Sequence, residues 1–160
     1  VLMNITLITV GKLKEKFFKD AVSEYLKRLS RFGKIEIIEI PDEKIPDNVS
    51  DKQAETIKIK EGANILRHIK DNSFFITMCI EGREFSSEEL AAEIAGISMK
   101  TGHITIAIGG SLGLSDEVKK ASKLRVSLGR ITLPHQLMRV VLLEQLYRAF
   151  KINANESYHK

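Results

Sequence analysis

Gly109, Gly110 and Gly113 follow the apolar run 104–108, and Gly129 stands shortly before Pro134 and a long apolar segment. Glycine lets main-chain N–H and C=O groups come close to a ligand, so two such loops suit a small molecule held largely by backbone. His135 and Arg139 follow the second loop one helical turn apart, which lets both reach the same space. An imidazole exchanges protons near neutral pH, and a guanidinium stabilises a developing anion. His135 reads equally well as a satisfied polar residue at a helix end.

Three stronger chemistries compete for the same residues. Residues 109–113, GGSLG, match the G-x-S-x-G nucleophile elbow of serine hydrolases, and Glu144 and His159 complete a Ser111, acid, His order. Against this, the chain is short for that fold, and the next helix opens at Ser115 rather than directly behind the serine. The glycine loop lacks the G-x-G-x-x-G spacing of a dinucleotide fingerprint and the G-K-[ST] of a P-loop, and the position nearest the expected acid is Arg130. A nucleoside-like ligand without phosphates stays open. The four histidines, 68, 103, 135 and 159, have no metal-ligand spacing and one cysteine cannot complete a zinc site, so no metal is expected.

The elements that must position these residues alternate between β-rich runs and helical periodicity, the pattern of βα units with a mostly parallel sheet and helices on both faces. Strands are expected at 4–10, 35–40, 73–80, 103–108 and 124–128. Helices are expected at 14–29, from the Ser50/Gln53 capping box to about 69, behind the Ser86/Glu89 capping box, in a short piece after Ser115, and from Pro134 as first helical residue. Phe17, Phe18, Ala21, Val22, Tyr25, Leu26 and Leu29 form the apolar face of the first helix. Glu81 and Gly82 read as a turn ending the third strand. From 137 to 150 apolar residues cover most of the last helix, more than one sheet face buries. A homodimer interface accounts for this better than a central helix does. Glu144 and Arg148 are spaced for a local ion pair of about 0.5 kcal/mol. Residues 153–160 lack periodicity and read as a flexible tail.

At 160 residues and 43% hydrophobic, the chain fits one domain over its whole length, 1–160. Such a domain buries roughly 70% of its unfolded surface. A net charge of +4 permits a polyanionic partner without requiring one. The lone Cys79 excludes an internal disulfide, fits a reducing cytosol, and sits in an apolar run as a small buried hydrophobe rather than a reactive thiol. No apolar run reaches the roughly 18 residues of a membrane helix. The N-terminal ITLITV is followed by Lys12, Lys14 and Lys16, the wrong order for a secretory signal. Val1 and Leu2 precede Met3 and are set aside.

Three segments, MNITLITVGKLKEKFF near the start, IAIGGSLGL in the middle and LPHQLMRVVLLEQLYRAFKINANESYHK at the end, resemble the ribosomal RNA large subunit methyltransferase H family, a small branch of the SPOUT methyltransferases. The resemblance spans essentially the whole chain. It implies transfer of a methyl group from S-adenosyl-L-methionine to N3 of a pseudouridine in 23S ribosomal RNA within the assembled ribosome, in the cytoplasm. It also implies a C-terminal trefoil knot in the α/β sheet, which general topology rules would make very improbable. Carried over residue by residue, the cofactor contacts would be Met78, Gly109, Leu128, Gly129, Arg130, Ile131, Thr132 and Leu133. For the chemistry, Arg139 is the expected charge stabiliser, with His135, Tyr158 or His159 handling the proton. A dimer would bring one subunit's tail beside the other's cofactor. The rival readings are a hydrolase using Ser111 and a noncatalytic, ribosome-associated RNA-binding module.

Overall fold

The computed structural model describes residues 3–158. Ten elements alternate along the chain: β1 (Met3–Val10), α1 (Lys16–Leu29), β2 (Gly33–Ile40), α2 (Asp51–Arg67), β3 (Phe74–Glu84), α3 (Ser87–Ser98), β4 (His103–Ile108), α4 (Asp116–Ala121), β5 (Leu124–Ser127) and α5 (His135–Asn153). The strands form one sheet in the order β2-β1-β4-β3-β5, and every pairing is parallel. A parallel sheet needs cover on both faces. Along β1, Met3, Ile5 and Leu7 join the core with residues of α1, α3 and α5, while Ile8 and Val10 join a second core with Ile65 of α2 and Val118 of α4. The expected architecture of a parallel sheet with helices on both faces is what the chain adopts.

Local signals explain most helix starts. Ser50 accepts from the Gln53 N–H and Gln53 reaches back to the Ser50 N–H; Ser86 and Glu89 repeat the exchange at α3. Ser115 caps α4 by accepting from the Val118 N–H. Pro134, by contrast, is the N-cap of α5 and not its first helical residue. Phe17, expected on the buried face of α1, is 64% exposed, because at about 3.6 residues per turn it stands well round the helix from the buried Val22 and Leu29.

Two departures matter for the site. β3 does not end at Glu81 and Gly82 but continues to Glu84. Met78 and Arg83 both pair with Val126 of β5, so residues 79–82 form a bulge between them. The expected turn signal marks this bulge, and bulges re-aim the side chains they carry. The second departure is α5, which lies among the helices of one face and packs against both α1 and α3. Leu142, Leu143, Leu146, Ala149 and Phe150 are buried, Phe150 stacks on Phe32 beyond α1, and Asn153 donates to the Ala91 carbonyl of α3. The central-helix reading therefore explains much of the apolar circumference within a single chain.

The tail expected to be flexible from 153 onward is held as far as Tyr158. Glu156 pairs with Arg31 at 2.7 Å and Lys151 at 3.5 Å. Tyr158 sits edge-on to Tyr147 with centroids 5.0 Å apart, and its hydroxyl donates to Glu144 Oε1 at 3.3 Å. Among the described residues, no helix is long and apolar enough to cross a membrane.

Candidate active site

Because all five strands run the same way, their carboxyl ends share one edge, where open α/β sheets bind ligands. A cleft of about 720 Å³ opens there, within the range of small-molecule sites. Its walls come from the β3 bulge, the glycine loop after β4 and the entry to α5: Met78, Cys79, Ile80 and Glu81, then residues 108–114, then Thr132, Leu133, Pro134, His135 and Met138. A narrower recess of about 50 Å³ shares Met78, Thr132, Leu133 and Met138 with the cleft, and adds Leu128, Gly129 and Ile131.

The glycine loop closes on itself through a bridge between Gly110 and Gly113, with the Gly113 N–H donating to the Gly110 carbonyl at 3.0 Å. A Cβ on Gly109 would lie 2.7 Å from the Gly113 carbonyl carbon and 2.9 Å from its oxygen, so this turn admits no side chain there. On the opposite wall Gly129 adopts a φ of +113°, which L side chains rarely reach, and its N–H donates to Ser127 Oγ at 3.1 Å.

Of the residues expected to meet a cofactor, Met78, Gly109, Thr132 and Leu133 line the main cleft, and Leu128, Gly129 and Ile131 line the recess. Arg130 is exposed and lines neither. Sequence reasoning missed Cys79, Ile80, Glu81, Leu114 and Met138. The Glu81-Gly82 interruption was the available signal for the first three. Cys79 is half-buried in the cleft wall, not in the core as expected, and burial followed by the nearby Glu81 pushes its thiol pKa up, which keeps it protonated.

The expected catalytic residues separate. His135 is in the cleft, half-buried. Desolvation, then Arg139, lowers its pKa, with Asp42 opposing and Lys14 adding to the fall, so the imidazole is neutral near pH 7. Arg139 does not face the cleft. It is 1% exposed, its Nη1 donates to Glu39 Oε2 at 2.7 Å and its Nη2 to the Gly11 carbonyl at 3.2 Å. Expected to stabilise charge on a substrate, it ties α5 to the ends of β1 and β2 and acts on His135 through its field. Tyr158 is also outside the cleft of its own chain. Its partner Glu144 lies nine positions after His135, about 13 Å along the helix. His159 lies outside the described residues.

Ser111 is exposed on the cleft rim with no hydrogen bond to a histidine among the described residues, and Glu144 is occupied by Arg148 at 2.6 Å and by Gln145. No hydrolase triad is assembled on Ser111 among the described residues. Among the described residues no group of three or more His, Cys, Asp or Glu side chains could hold a metal ion.

A family model described as predicted SPOUT methyltransferase matches residues 3–159. Proteins named ribosomal RNA large subunit methyltransferase H are similar along their whole length: that of Pediococcus pentosaceus is 56% identical over 99% of this chain and 100% of its own, and that of Clostridium novyi 55% identical with the same coverage. Among solved structures, a methyltransferase from Legionella pneumophila with its cofactor SAM bound superposes with a TM-score of 0.52 at 14% identity, covering 92% of this chain and 66% of its own. A tRNA methyltransferase from Aquifex aeolicus gives 0.54 at 15% identity, with 92% and 70% covered. At such identities these two likenesses speak for the fold. Sequence, fold and cleft together place the chain in the ribosomal RNA large subunit methyltransferase H family of the SPOUT methyltransferases.

Proposed function

We propose that this protein transfers a methyl group from S-adenosyl-L-methionine to N3 of a pseudouridine in 23S ribosomal RNA, working in the cytoplasm on the assembled ribosome. The observation that carries the reading is the convergence of the β3 bulge, the glycine loop and the 128–133 turn on one cleft. The lining fits the cofactor's chemistry: Met78, Leu114 and Leu133 offer apolar walls to an adenosyl group, and the glycine turn and Gly129 bring main-chain polar groups to its edge. The trefoil knot of the family belongs to the same reading, with the 128–134 segment threading at the cleft.

The bound cofactor supplies an electrophilic methyl on a sulfonium. What remains for the protein is alignment and one proton. The N3–H bond of the uracil ring gives up its proton, the freed electron pair forms the N–C bond, and the C–S pair stays on sulfur. In-line approach at near-attack distance provides the larger share of the rate. His135, neutral and on the cleft wall, is the residue of this chain suited to accept the proton. Burial first, and the charge of Arg139 second, keep it neutral.

Tyr158 is held away from the cleft of its own chain, so the reading includes a homodimer through α5 that carries the tail to the cleft of a second subunit. Leu137, Met138, Val140 and Val141, half-buried on α5, supply the surface for it. Dilution that dissociates the dimer is expected to abolish methylation, and undiminished activity of a proven monomer would refute this element. The whole reading is tested by incubating radiolabelled S-adenosyl-L-methionine with ribosomes and with each free subunit. Label at N3 of one 23S pseudouridine is expected; no label on any ribosomal RNA contradicts it.

A further inference from the structure

Residues 119–130, KKASKLRVSLGR, hold five cations (Lys119, Lys120, Lys123, Arg125 and Arg130) and no acid. Their charge of +5 exceeds the +4 of the whole chain, so all the other residues together net −1. A second run without an acid, 27–34 (KRLSRFGK), differs in that its Arg28 and Arg31 are paired, with Glu24 and Glu156. In the structure the 119–130 segment runs from the end of α4 along β5, one of the two edge strands of the sheet, and on into the turn that forms the recess. At one end Lys119 lines the main cleft, and at the other Leu128 and Gly129 line the recess.

Four of these cations form no salt bridge among the described residues. Lys119 pairs with Glu81 at 2.5 Å. Arg125 donates its Nε to the Lys119 carbonyl at 3.3 Å, and Lys123 lies 5.7 Å from the Phe74 ring centroid. Arg125 acts on Glu81 only through its field, without a contact ion pair, and none of Lys120, Lys123 and Arg130 is in an ion pair among the described residues. Lys120, Lys123, Arg125 and Arg130 are all exposed. The nearest acids in sequence, Asp116 and Glu117, occupy the first turn of α4, where they complement the helix dipole. Charges on an edge strand also deter pairing with other chains. That explanation reaches Arg125 alone, since Lys119 and Lys120 are on α4, Lys123 precedes β5 and Arg130 follows it.

We infer that this ribbon is the track on which the ribose-phosphate backbone of the RNA substrate lies as its target base enters the cleft. Resting on the methyltransferase reading, the inference names the surface by which that enzyme grips RNA. Free cations beside the cleft are what a sequence-independent polyanion contact requires, and they act through counterion release, which makes binding fall with salt.

The test compares wild type with K120Q/K123Q/R125Q, which spares Lys119 and Arg130 beside the cofactor cleft. A control, K34Q/K70Q/K100Q, removes equal charge at the amino ends of the strands, the far edge of the sheet. Ribosome binding is measured by filter retention from 50 to 300 mM KCl, independently of methylation. The ribbon variant is expected to bind at least tenfold more weakly, with a log–log salt slope shallower by about 2, since each single-strand phosphate left unneutralised takes ~0.7 from the slope. The control should change less than threefold. Equal weakening in both variants, or none in the ribbon variant, overturns the inference. Calorimetry with S-adenosyl-L-methionine separates the two levels: failure of wild type to bind it removes the methyltransferase reading, while the filter data still decide the ribbon. Unchanged cofactor affinity in the ribbon variant shows that its fold and cleft are intact.

Discussion

Arg139 Nη1 donates to Glu39 Oε2 at 2.7 Å, joining α5 to the end of β2 across 100 positions of sequence. With the second bond to the Gly11 carbonyl, this pair fixes the first turn of α5, and with it His135, against the carboxyl ends of β1 and β2. Breaking a fully buried pair costs about 3–5 kcal/mol. Glu39 keeps 35% of its side chain accessible, so R139M is expected to cost about 2–3 kcal/mol. Urea unfolding checks this, and a loss under 1 kcal/mol would show the pair to be idle.

His135 makes activity and stability sensitive to acid. Its folded pKa lies below 6.5, so its contribution to stability is complete above that pH and is lost as pH falls through the folded value, where the unfolded chain binds the extra proton first. Unfolding free energy is expected to decline as pH falls below 6.5, and to decline less steeply in H135Q. The acid limb of kcat/KM should follow the same ionisation, and in H135Q kcat should fall at least tenfold while cofactor affinity changes less than threefold. Because Arg139 holds the pKa down, R139M should move the imidazole titration upward in an NMR pH series. A downward movement would reverse the assigned cause.

Gly109 offers a steric test of the cleft. A methyl group there meets the Gly113 carbonyl at 2.7 and 2.9 Å, backbone atoms that must move with their loop. G109A is expected to weaken S-adenosyl-L-methionine binding at least tenfold by calorimetry, with a stability loss of about 1–3 kcal/mol. Wild-type affinity would mean that the loop does not hold the cofactor.

Ser111 should be dispensable. It is exposed and no base touches it among the described residues, so S111A is expected to retain methyl transfer within twofold. A hundredfold loss would reopen nucleophilic chemistry at that position.

Much of the fold is legible in the sequence because its signals are local. Both capping boxes name their own helices, and the nearly unbroken apolar character of 73–80 marks a strand covered on two faces. The glycines of both loops point to the cleft by residue type and spacing alone. What stays hidden depends on contacts between distant segments. Glu81 and Gly82 read as a stop, since only the pairing of Met78 and Arg83 with the same Val126 makes them a bulge. Arg139 reads as free to face a substrate because its partners, Glu39 and Gly11, lie at least 100 positions away. The tail at 154–158 has no periodicity, yet Glu156, paired with Arg31 and Lys151, and Tyr158, on Glu144 and Tyr147, hold it against α5 and the turn after α1. The circumference of α5 exceeds the needs of one sheet face because two neighbouring helices share it.

The central claim is that the β3 bulge, the glycine loop and the 128–133 turn form one cofactor site. A crystal of the protein soaked with S-adenosyl-L-methionine tests it most directly. The adenosyl group is predicted between Gly109 and Leu133, against Met78, with the methyl directed toward His135. Ligand density elsewhere on the molecule, or a cleft left empty at saturating cofactor, would contradict the account.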